Sequence, residues 1–203
     1  MDPYLVLAFV LLVFVLLFGG LTLLRREPLS ARFAAETLLV GGAILGLSWL
    51  LRRPWSPVLF FVILYLVAMR ARLVTEVANL LAQRGRLPAA LRLYELALRL
   101  ATDSATRATV RVNQGAALLL GRRLPLAIAA LQEALAGPGL GIKQEAACHY
   151  NLGLAYLRQG ETGLGQAELR EVGELLPGSI YARHAELALR SRSEGGEAPP
   201  PQA

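Results

Sequence analysis

The chain has 203 residues, 55% apolar and only 18% charged, with 21 basic against 15 acidic side chains for a net charge of +6. With a mean hydropathy of +0.46, this composition excludes a disordered or fibrous chain and suggests that part of it lives in lipid. The pI near 10.1 points to an anionic partner, nucleic acid or an anionic membrane surface, and the single cysteine excludes an intramolecular disulfide framework.

The apolar excess begins at the N-terminus. Residues 3–24, PYLVLAFVLLVFVLLFGGLTLL, form a charge-free run. As a helix of about 33 Å it would cover a hydrocarbon core of about 30 Å. A cleaved signal is the alternative, but the run is long, begins after Met-Asp-Pro and ends in Leu-Leu-Arg-Arg. The second segment, 33–51, carries Glu36 in its first turns, where it can reach the interface or pair with Arg32. Gly42 and Gly46 make a Gly-x-x-x-Gly step there, expected to pack this helix on its neighbours. The third segment, 55–70, opens Arg-Pro-Trp-Ser-Pro, with Ser56 as a helix cap and Pro57 at the first helical position. Its charge-free stretch is short, so a re-entrant or interfacial segment is the alternative to a span.

Three spans at about 4–24, 33–51 and 55–70 put the first loop and everything after residue 70 on one side. That side holds Arg25, Arg26, Arg32, Arg70, Arg72, Arg84 and Arg86; the other holds Arg52 and Arg53. The excess of arginine on cytoplasmic loops then predicts an integral membrane protein with its N-terminus outside and its C-terminal domain in the cytoplasm. Arginine outnumbers lysine 20 to 1, a compositional sign of a bacterial chain and hence of an inner or plasma membrane.

From residue 71 the pattern becomes helix-turn-helix, and three segments align: ANLLAQRGRLPAALRLYELAL (78–98), GAALLLGRRLPLAIAALQEAL (115–135) and GLAYLRQGETGLGQAELREVG (153–173). Ala78, Gly115 and Gly153 share one small position. Ala90, Ala127 and Gly165 share a second, and Ala97, Ala134 and Val172 a third. Gly85, Arg122 and Gly160 fall at the turn, and Pro177 ends the third unit. This pattern resembles the tetratricopeptide repeat over about residues 71–178, although Val74 stands where that family has a large aromatic residue. Repeat starts near 71, 108 and 146 leave spacings longer than the family's, and the extra residues are expected in the loops at 101–107 and from 137 onward. The resemblance implies an all-α chain, with a stacked helix-turn-helix solenoid at 71–192 following the membrane segment. Residues 179–192 read as a capping helix and 193–203, with three prolines, as a disordered tail.

Enzyme chemistry finds little support. Cys148 and His149 are adjacent on a helix and so point about 100° apart. Glu168, Glu171 and Glu174 read as a solvated face, and the glycine-rich turns lack phosphate-loop spacing. No catalytic residue, metal site, cofactor or small-molecule substrate is expected. In tetratricopeptide proteins the first helices of the repeats line a peptide-binding groove. The resemblance places Thr75, Asn79, Gln83, Val112, Asn113, Ala116, Tyr150, Asn151 and Leu154 there. Asn79 and Asn113 match the asparagines of the carboxylate-clamp subclass, but Thr75, Ala147 and Asn151 stand at its cation positions, which argues against binding of charged chain ends.

The expectation is therefore a membrane-anchored scaffold that binds a protein or peptide partner and contacts lipid. The alternative is a subunit of a transport or envelope-assembly machine whose membrane helices make functional contacts. Nucleic acid is not expected, because residues 1–74 hold seven arginines against three acids, a net of +4, while the rest holds fourteen basic against twelve acidic residues. Most of the charge thus serves orientation.

Overall fold

The computed structural model describes residues 2–24 and 31–193. Among them the chain is all helical: α1 (Pro3–Leu24), α2 (Ala31–Leu50), α3 (Pro57–Gln83), α4 (Leu87–Leu100), α5 (Ser104–Leu120), α6 (Leu124–Ala136), α7 (Ile142–Gln159), α8 (Thr162–Leu175) and α9 (Ile180–Ser193). Arg25 and Arg26 of the first loop, and residues 194–203 of the expected tail, lie outside the described residues. The chain divides into two compact units, Met1–Arg70 and Ala71–Ala203, with the division falling inside α3.

In the first unit Leu7, Leu11 and Phe14 of α1 are buried with Phe60 and Leu64 of α3. Phe14 stacks on Phe18 at 4.4 Å and meets Phe61 edge-on at 5.5 Å, the offset and T-shaped geometries that aromatic quadrupoles favour. The glycine that admits a neighbour is Gly41, where an added methyl would overlap the Leu11 side chain. Gly42 and Gly46, expected to pack this helix on its neighbours, instead face open space, with no atom within 4 Å of an added methyl. One step along a helix turns the side chain by about 100°, which is enough to exchange the packed face for the open one. At the end of α2, Arg52 N–H donates to the Trp49 carbonyl and Arg53 N–H to that of Ser48, a Schellman turn with Arg52 at φ +50°.

Among the described residues two helices are long and apolar enough to cross a membrane, Arg32–Leu50 and Pro57–Gln83, and α1 is a charge-free helix of 22 residues. Only 17% and 22% of the apolar windows of those two helices are buried within the protein. Large apolar side chains point outward all round this unit, with Leu5, Phe9, Leu16, Leu39, Trp49 and Val58 all more than half exposed.

The second unit is built from helix hairpins. The turns after α3, α5 and α7 are the same Schellman turn. Arg86 N–H donates to Leu81 O, Arg123 N–H to Leu118 O and Glu161 N–H to Tyr156 O, and the residue before each donor has positive φ: Gly85 (+73°), Arg122 (+57°) and Gly160 (+93°). In the first two, Leu-Pro follows at once and opens the next helix, where proline's missing N–H costs nothing.

The small positions sit where hairpin helices cross. Ala78, Ala90, Ala97 and Ala127 are fully buried. A methyl on Gly165 would lie 2.9 Å from the Gly153 carbonyl oxygen, so α7 and α8 touch backbone to backbone. Successive helices pack from α4 to α9, and α5 also packs on α7, and α7 on α9.

Two local features depart from the sequence expectation or fill it in. Of the residues expected in loops, 104–107 join the start of α5, whereas 137–141 do form the loop between α6 and α7. Asp103 caps α5 by accepting from Thr106 N–H at 2.7 Å and from its hydroxyl at 2.8 Å, so the helix starts at Ser104. Ser179 Oγ accepts from Ala182 N–H at 3.0 Å and so caps α9.

Candidate protein-binding groove

The nine candidate residues come from α3, α5 and α7, and the structure gives them different surroundings. Thr75 is buried and turns its hydroxyl back to the Ala71 carbonyl at 2.8 Å. Asn79 is half-buried, and its side-chain oxygen accepts from the Tyr94 hydroxyl at 2.6 Å. Val112 is buried with Ala147, Cys148 and Leu152. Tyr150 and Leu154 are fully buried in the cluster that also holds Ala185 and Ala188 of α9, and the Tyr150 ring lies 6.2 Å from that of His184. Ala116 and Asn151 are also buried.

Six of the nine therefore have no surface to offer in this conformation; Asn79, Gln83 and Asn113 keep some. The cause is local. Because α7 packs on α5, α6, α8 and α9, the side chains of its middle turns are enclosed. Burial pushes the Tyr150 phenol up to about 12 and raises that of Tyr94 further, so both stay neutral hydrogen-bonding groups.

Cys148 and His149 do not face each other. The Cys148 thiol is buried and donates to the Leu131 carbonyl at 3.3 Å, and desolvation, with Glu168 and Glu145 nearby, pushes it up to about 12. A thiol so placed is a packing group rather than a nucleophile at neutral pH. His149 Nδ1 lies 2.6 Å from Glu168 Oε2 on α8. The hydrogen bond to Glu168 raises the His149 pKa above its ordinary value against the opposing effect of burial. Glu168 is thus a partner rather than part of a purely solvated face, whereas Glu171 is exposed. This pairing has no signature in the sequence, because the two residues are 19 positions apart and meet only through the hairpin register. Among the described residues no group of three or more His, Cys, Asp or Glu side chains could hold a metal ion.

No protein-family model, curated protein or solved structure matches the chain.

Proposed function

We propose that the chain is a membrane-anchored scaffold in which α1, α2 and the first half of α3 lie in the bilayer and a tetratricopeptide-like solenoid binds a protein partner. The observation that carries this reading is the thrice-repeated hairpin turn at Gly85, Arg122 and Gly160 in a chain whose other unit turns apolar side chains outward. Repeats that cannot bury their own faces stack, and the stack leaves a surface for partners. An apolar exterior of this extent is satisfied by lipid and is a liability in water. All three apolar helices span, the N-terminus is outside, and the solenoid is in the cytoplasm of a bacterial cell. The open part of the groove is amide-rich (Asn79, Gln83, Asn113) and suits an uncharged segment, since amides can donate to and accept from an extended backbone.

Photocrosslinking from Gln83 and Asn113 in native membranes tests the reading. It predicts a discrete crosslinked protein from both positions and none from Arg92 on α4. The same bands from all three positions, or none from any, would contradict it.

A second reading, a subunit of a transport or envelope-assembly machine, draws on Gly42 and Gly46, which face outward with open space beside them. A neighbouring membrane helix could approach closely there. Exchange of the three spans for an unrelated anchor abolishes function under this reading and preserves it under the first.

A further inference from the structure

The second unit carries a cleft of about 620 Å³ where the end of α4, the start of α5 and the end of α6 meet. Its charged lining is lopsided: Arg99 from the last turn of α4 and Arg107 and Arg111, one turn apart on α5, against the single acid Glu133 of α6. The surplus is local, because residues 75–203 as a whole are nearly balanced.

The three guanidinium groups come from separate turns. Arg107 donates to the Ala101 carbonyl at 3.3 Å and Arg111 pairs with Glu133 at 2.5 Å. Asp103 beside the cleft already spends its carboxylate on Thr106. Ala108 and Pro138 add uncharged wall. None of the lining residues belongs to the nine groove candidates, so the cleft is a different surface.

We infer that this cleft binds an acidic peptide segment of a partner protein. Charge complementarity sets the sign of the ligand. Arg99 and Arg107 are exposed and Arg111 is half-buried; set on two helices, they suit several carboxylates along a chain rather than one small ion. No aromatic side chain lines the cleft, so the stacking platform that single-stranded nucleic acid uses is missing. The inference is independent of the groove reading, since neither site shares a residue with the other.

The test is fluorescence anisotropy of the full-length chain in detergent micelles with a labelled poly-(Glu-Ser) dodecapeptide. A poly-(Lys-Ser) counterpart, oligo-dT and inorganic phosphate serve as competing probes. The acidic peptide should bind and weaken with added salt. Arg99→Gln with Arg107→Gln should weaken it about tenfold, whereas Arg170→Gln with Arg183→Gln, which removes the same charge elsewhere, should change it less than about twofold. Glu133→Gln should tighten binding about threefold by releasing Arg111, a gain that misfolding cannot mimic. Equal loss in both double variants, no gain with Glu133→Gln, equal binding of the basic peptide, tighter binding of oligo-dT, or displacement by phosphate at the peptide's own concentration would each overturn the inference.

Discussion

Arg70 of α3 donates to the carboxylate of Glu36 of α2, and the same carboxylate accepts from Arg32 one turn earlier at 2.7 Å. The pair sets α2 and α3 side by side: residues 36–50 and 57–70 each rise about 20 Å to the loop that joins them. A charged layer then closes one end of the apolar segment, and Arg52 and Arg53 close the other. With side-chain exposures of 24% for Arg70 and 31% for Glu36, the pair is neither free in water nor deeply desolvated. A double-mutant cycle with Glu36→Gln and Arg70→Gln, read by unfolding in detergent, should give a coupling of about 1 kcal/mol. Zero coupling would separate the two residues.

The glycines of α8 should respond in opposite directions to the same substitution. Gly165→Ala forces a methyl to 2.9 Å from the Gly153 carbonyl and 2.7 Å from Leu157 Cγ. Backbone cannot yield as a side-chain end can, so the cost is about 1–3 kcal/mol. Gly173→Ala meets nothing within 4 Å and should stabilise by about 0.5–1 kcal/mol through helix propensity and lost unfolded-state freedom. Chemical denaturation of the two variants side by side checks both signs.

Arg122 occupies at φ +57° the turn position that glycine fills in the other two hairpins. An L side chain pays about 1–2 kcal/mol in this left-handed region, and glycine's unfolded-state freedom offsets part of the relief. Arg122→Gly should therefore raise stability by about 0.5–1 kcal/mol, seen as an upward shift of the melting midpoint. A lower midpoint would mean that the arginine side chain holds a contact worth more than the strain.

The His149–Glu168 pair should make stability depend on pH in a defined direction. The folded-state pKa of His149 is raised, so folding favours the protonated ring. The contribution is full below the ordinary value of about 6.5 and is lost as pH rises through the folded value. For a pair this little exposed it amounts to about 1 kcal/mol or less. Unfolding followed between pH 6 and 9 should show the loss in the native chain and its disappearance in His149→Gln.

What could be read from the sequence follows from what each signal encodes. The hairpin turns were legible because Gly-Arg-Leu-Pro and Arg-Arg-Leu-Pro are local chemistry: a left-handed residue, then proline opening a helix. The buried small residues Ala78, Ala90 and Ala97 were legible because they recur at fixed spacing. The start of α5 was not, because Asp103 and Thr106 look like loop residues until the carboxylate is seen to cap the helix. The packing role of Gly41 has no such signal, because the Gly-x-x-x-Gly spacing of Gly42 and Gly46 defines a stripe without saying which way it turns. The burial of most groove candidates is illegible for a related reason. Tyr150, Asn151 and Leu154 are buried by packing around α7, and that enclosure depends on long-range contacts that spacing does not carry.

Lys143 gives the most direct test of the proposal that the chain is a membrane-anchored scaffold. It is the only lysine of the chain and is exposed in the first turn of α7. Cells producing the full-length protein are treated with a membrane-impermeant amine reagent before and after permeabilisation, and modification of Lys143 is mapped by mass spectrometry in the alkali-washed membrane pellet. Three spans with the solenoid inside predict a Lys143 that is protected in intact cells, modified once the membrane is opened, and still in the pellet after the wash. Modification in intact cells, or release of the chain by alkali, would contradict the account.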